Sequence, residues 1–120
     1  MPTTVPPRVT FQGLLPSPSL EALIKGEIDE LERSFDRIVS CRVAVELPHR
    51  HQRRGRLYRV VVEVSVPGAH VVVGSSPDQR AMHANARIAV RDAFGTVRRQ
   101  LEERGRRRHE RNRAAAADAP

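Results

Sequence analysis

Arg80, Arg87, Arg91 and Arg98 recur at intervals of seven, four and seven residues. On a helix of 3.6 residues per turn this spacing puts all four within about 40° of one another, along a stripe about 27 Å long. The guanidinium fork binds a phosphate through two hydrogen bonds, so such a stripe can follow several phosphates of a nucleic-acid backbone. The plainer alternative is a solvated helix face. Acids are sparse on it, however, and Asp92 points well away.

Two further basic clusters accompany the stripe. Residues 50–56 carry four arginines and no acid, a balance of +4, with Arg50, Arg53 and Arg54 as candidate phosphate contacts. Residues 98–113 carry eight arginines against Glu102, Glu103 and Glu110, a balance of +5, with Arg99, Arg104, Arg106 and Arg107 as candidates. Lys25, the only lysine, completes the candidate RNA-binding set. The whole chain of 120 residues has a net charge of +7, so the remainder is slightly acidic and the positive charge is concentrated. Such a balance selects a polyanion, nucleic acid or an anionic membrane surface. A GC-rich coding bias would also enrich Arg, Ala, Val and Pro, and composition alone does not separate the two.

The histidines are the other group with chemistry to offer. His49-Arg50-His51, with His70 or His83, could belong to a metal site or a histidine nuclease. The H-x-H pair lacks a third ligand at fixed local spacing, and no carboxylate stands where it would orient a catalytic imidazole. The expectation is therefore no catalytic residue, no metal, no cofactor and no small-molecule substrate. The single cysteine, Cys41, excludes an intramolecular disulfide framework and reads as a core residue. No apolar run approaches the roughly 18 residues of a membrane span, and residues 1–7 lack a secretory apolar segment; a cytoplasmic protein without a membrane partner is expected. With only Phe11, Phe35, Tyr58 and Phe94 as aromatics, a platform for stacking bases is not expected. Recognition should rest on backbone geometry, as in double-stranded or folded RNA.

The elements that must position these groups follow from periodicity. Arg8 to Gln12 alternates as a half-buried strand. Ser17-Pro18 opens a helix as N-cap and first-turn proline; Leu20, Leu23, Ile24, Leu31 and Phe35 form its apolar stripe to near Asp36, and its exposed side is acidic. Val39, Cys41, Val43, Val45 and Leu47 are the inner row of a second strand, and Tyr58, Val60, Val62, Val64 and Val66 that of a third. Pro67-Gly68 is a turn, followed by a short fourth strand from Ala69 to Val73. After Gly74-Ser75-Ser76-Pro77 a second helix is expected to begin near Asp78 or Arg80, with Ala86, Val90, Ala93, Phe94, Val97 and Leu101 as its core face. The order is β-α-β-β-β-α: an α+β two-layer sandwich, a four-stranded antiparallel meander with two helices on one face. Residues 1–7 are expected to be flexible, 8–106 to form the domain, and 107–120 to form a basic, Ala-rich disordered tail.

Several local runs carry a family resemblance. They are Phe35-Asp36-Arg37-Ile38, Cys41 to His51, Gly55-Arg56-Leu57-Tyr58, Val64-Ser65-Val66-Pro67-Gly68, Ala89-Val90-Arg91-Asp92-Ala93-Phe94 and Arg99-Gln100-Leu101. Over roughly residues 8 to 106 the chain resembles the short form of the ribosome hibernation-promoting factors, also called ribosome-associated inhibitors or ribosomal subunit interface proteins. The resemblance implies a fold similar to a double-stranded-RNA-binding domain. It also implies binding to ribosomal RNA of the small ribosomal subunit, between head and body, where mRNA and tRNAs would lie. Translation would be shut down by occupancy, in stationary phase or stress. Asn85 stands where many relatives have an acid and Arg87 where many have an aromatic; neither change weakens affinity for a polyanion. The competing readings are a general structured-RNA-binding or transcription-modulating interaction protein and, last, the histidine-dependent nuclease.

Overall fold

Valine-rich alternation dictates the sheet, and the two apolar helical stripes dictate what covers it. The structure, a computed structural model, describes residues 6–47, 58–74, 82–83 and 85–118. Strands β1 (Arg8–Gln12), β2 (Ser40–Glu46), β3 (Tyr58–Val66) and β4 (Ala69–Val73) lie side by side in that order. Helices α1 (Pro18–Ser34) and α2 (Ala86–Asp118) cover one face. The α+β two-layer arrangement is the one expected from the sequence.

Its pairing differs from an antiparallel meander in two places. β1 runs parallel to β2, with Arg8 opposite Arg42 and Gln12 opposite Glu46. The reason is the connection: α1 carries the chain back along the sheet, so β2 starts from the same end as β1. A short fifth strand, β5 (Met82–His83), pairs antiparallel with Tyr58 and Arg59 of β3, beyond the end of β4. The β2–β3 and β3–β4 pairs are antiparallel, and the β3–β4 turn is closed by Gly68 at φ +78°.

α1 forms where its caps and stripe agree. The Ser17 hydroxyl accepts from Leu20 N at 3.3 Å, Pro18 occupies the first turn, and Phe35 ends the helix with its N–H on Leu31 O at 2.9 Å. Leu20, Ile24, Ile28 and Leu31 are buried against the inner rows Cys41-Val43-Val45 and Val60-Val62-Val64. α2 adds Ala89, Val90, Ala93, Phe94, Val97 and Leu101. Phe94 is the largest fully buried side chain, so Val, Ile and Leu fill the rest of the core. Among the described residues no polar or charged side chain is buried as a whole.

The opposite face of the sheet is solvated and balanced in charge. Arg42 lies 3.9 Å from Glu63 and Arg59 lies 3.7 Å from Glu46, each across a β2–β3 pair. Arg59 Nε also donates to Gly74 O at 2.7 Å. His70 Nδ1 and the Ser65 hydroxyl share a hydrogen bond of 3.0 Å.

α2 corrects the sequence expectation at both ends. It begins at Ala86, not near Asp78 or Arg80, because Met82 and His83 are taken by the sheet and Asn85 supplies the cap. It then continues to Asp118, through residues expected to be a disordered tail. Arg, Glu and Ala are good helix formers, and no proline interrupts them before Pro120. The helix has 33 residues, about 50 Å at 1.5 Å each. Among the residues whose side chains are described its last buried one is Leu101, and residues 102–114 project exposed from the body. The molecule accordingly measures 65 × 31 × 17 Å, with a radius of gyration of 16.7 Å against about 14 Å for an ordinary domain of this length.

Candidate nucleic-acid interface

The start of α2 is capped by a side chain and carries no acid in its first turn. Asn85 Oδ1 accepts from Arg87 N at 2.9 Å and from Ile88 N at 3.3 Å, and Asn85 O receives Ala89 N at 3.1 Å. An aspartate would cap equally well; asparagine does so without bringing a negative charge to the interface. The first turn contains no acid and one arginine, so the positive end of the helix dipole is left uncompensated. Arg87 and Arg91 are exposed, and among the described residues neither has an acidic partner within ion-pair distance. Isoleucine 88, 46% exposed, stands beside them.

Arg98 shares this side of the helix but is differently placed. Its Nη2 lies 3.5 Å from Glu30 Oε2 on α1, and its buried Nε has no hydrogen-bond partner. It is the hinge between an acidic helix and a basic one. α1 carries five acids against Lys25 and Arg33, whereas residues 86–101 of α2 carry four arginines against Asp92. Lys25, expected among the phosphate contacts, is exposed on α1 and paired with Glu21 at 3.2 Å.

The stripe inferred from spacing is therefore shortened to Arg87, Arg91 and Arg98, about 17 Å along the axis. Arg80 precedes the helix and lies outside the described residues, as do Arg50, Arg53 and Arg54. Arg99 is exposed about a quarter-turn away, its Nη2 donating to the Thr96 hydroxyl at 3.1 Å. Arg104, Arg106 and Arg107 are exposed on the projecting part of α2, with Arg107 paired to Glu103 at 2.6 Å. The role of Asn85 was not visible from its neighbours alone, because the Ser76-Pro77 start signal upstream competes with it.

Among the described residues no three His, Cys, Asp or Glu side chains converge on a point that could hold a metal ion; His49 and His51 lie outside those residues. Cys41 is buried, and desolvation, with a smaller contribution from the Glu32 charge, lifts its thiol from 9.0 to about 12. Among the described residues no helix is long and apolar enough to cross a membrane.

Residues 8–109 match the family described as Sigma 54 modulation protein / S30EA ribosomal protein. The chain belongs to this family. The resemblance read from its motifs, to the hibernation-promoting factors, is thereby borne out. Two solved structures share the family fold. One is a ribosomal subunit interface protein from Coxiella burnetii, with a TM-score of 0.64 and 17% identity, covering 82% of this chain and 96% of that one. The other is the N-terminal domain of Protein Y from Thermus thermophilus, with a TM-score of 0.63 and 17% identity, covering 80% and 93%. At this identity they establish the fold. No curated protein matches the chain.

Proposed function

We propose that this member of the S30EA family is a cytoplasmic ribosome-hibernation factor. It binds ribosomal RNA of the small subunit and occludes the path of mRNA and tRNA under stress or in stationary phase. The observation that carries the reading is the pair Arg87 and Arg91, exposed and, among the described residues, without acidic partners at the capped, uncompensated start of α2. Family membership supplies the ribosome as the polyanion. Occupancy is the mechanism; no reaction, metal or cofactor is required.

The decisive experiment is gradient sedimentation of cell extract from stationary phase. The protein is expected to co-migrate with the small subunit, and Arg87→Glu with Arg91→Glu is expected to move it to the top of the gradient while its circular dichroism is unchanged. Unmodified protein found only at the top would overturn the reading. It would favour the transcription-modulating alternative that the other half of the family description names.

A further inference from the structure

The core-facing stripe of α2 does not end where the core ends. Val90, Phe94, Val97 and Leu101 are buried at alternating spacings of four and three, and the same spacing continues through Arg104, Arg108 and Arg111. These three arginines therefore lie on the face that a longer core would have covered. Opposite them the body recedes and leaves a cleft of about 520 Å3. Its other wall is the end of α1, with Phe35, Asp36 and Arg37, and its base includes Val66 and the β3–β4 turn.

Five arginines line this space with one carboxylate, Asp36, and four of them are Arg37, Arg104, Arg108 and Arg111. Among the described residues none of the four has an ion-pair partner, whereas Arg107, which also lines it, is held by Glu103. Like charges gathered around a concave surface repel one another and attract an anion strongly, because the walls focus the field. The size falls within the range of small-ligand sites, roughly 300–1,000 Å3, and the half-buried Phe35 ring and Val66 give it an apolar side. Residues 102–114 of the helix are exposed, so a ligand bridging its arginines to Arg37 would also fix the angle of the arm.

We propose that this cleft is a nucleotide subsite, in which Arg104, Arg108, Arg111 and Arg37 hold phosphate and the base rests against Phe35. It takes one nucleotide of a single strand. The proposal rests on the RNA-binding reading but uses a different face of the helix. Arg91 and Arg104 are about 20 Å apart along the axis and about 140° apart around it.

The test is fluorescence anisotropy on the full chain, with a labelled single-stranded uridine hexamer and a labelled RNA hairpin. Arg104→Glu with Arg108→Glu is expected to weaken the hexamer about tenfold or more and the hairpin far less, since two phosphate contacts are lost at one site only. Arg87→Glu with Arg91→Glu is expected to do the reverse. The corresponding glutamine pair, Arg104→Gln with Arg108→Gln, keeps helix propensity and should weaken the hexamer in the same direction. Photo-crosslinking of 4-thiouridine in the hexamer should label the peptide containing Phe35.

Uridine monophosphate that displaces the hexamer would assign the cleft to free nucleotides; failure to displace it assigns the cleft to a strand. Unchanged hexamer affinity in the Arg104/Arg108 variants would overturn the subsite, as would equal losses for hexamer and hairpin. In either case the Arg87/Arg91 variant still tests ribosome binding independently.

Discussion

Replacing Arg87 and Arg91 together by alanine isolates what two exposed cations contribute to RNA binding. Both side chains stand clear of the core and of any described acid, so the folded state loses no contact and its stability should change by less than about 0.5 kcal/mol. A charge-assisted hydrogen bond contributes about 1.5–3 kcal/mol, and exposure puts each of these at the lower end. The pair should then account for about 3 kcal/mol, a loss of roughly 150-fold in affinity. A second number is independent of the first. Each neutralised phosphate contributes about 0.7–0.9 to the slope of log K against log salt, so the double variant should flatten that slope by about 1.4–1.8. Titration of small subunits at four or five salt concentrations measures both. An affinity loss below threefold, or a slope indistinguishable from that of the unmodified protein, would refute the assignment of these arginines to phosphate contacts.

Three other outcomes follow from particular contacts. Asn85→Ala removes the cap of α2 and should cost about 1 kcal/mol in a denaturant melt, while weakening RNA binding because Arg87 sits in the turn that frays; an unchanged melt would deny Asn85 its capping role. Glu30→Gln releases Arg98 from its acidic neighbour, and since both side chains are partly exposed the stability change should stay below about 1 kcal/mol. RNA affinity at low salt should rise, and no rise would show that Arg98 does not face the ligand. Cys41 should resist thiol reagents in the folded protein at neutral pH. Its folded thiol titrates near 12 and its unfolded thiol near 9.0, so above that lower value the unfolded chain releases the proton and stability falls as pH rises. The slope is at most about 1.4 kcal/mol per pH unit until the folded thiol itself ionises. A Cys41→Ala chain with the same alkaline slope would contradict this.

Much of the fold is legible locally. The bounds of β1, β3 and β4 coincide with the alternating runs Arg8 to Gln12, Tyr58 to Val66 and Ala69 to Val73, because a strand with one buried face must repeat every two residues. Ser17-Pro18 marks the start of α1 for the same kind of reason: capping is a contact between near neighbours. The start of α2 was misplaced because two cap signals compete, Ser76-Pro77 and Asn85. The choice between them depends on whether Met82 and His83 find a partner strand, and that partner, Tyr58 and Arg59, lies more than twenty residues upstream.

The candidate site divides along the same line. That arginines cluster and that α1 is acidic are properties of residue types and their order, and the sequence by itself determined them. Which arginines are available was decided only by tertiary structure. Arg98 and Arg91 look alike on a helical wheel, yet Arg98 lies 3.5 Å from Glu30 of α1 whereas Arg91 has no acidic partner among the described residues. Arg104, Arg108 and Arg111 read as part of an undifferentiated basic run until the body is seen to end at Leu101 and leave a cleft beneath them. Periodicity is written between neighbours a few residues apart, whereas the pairing and burial of a charge depend on segments that only folding brings together.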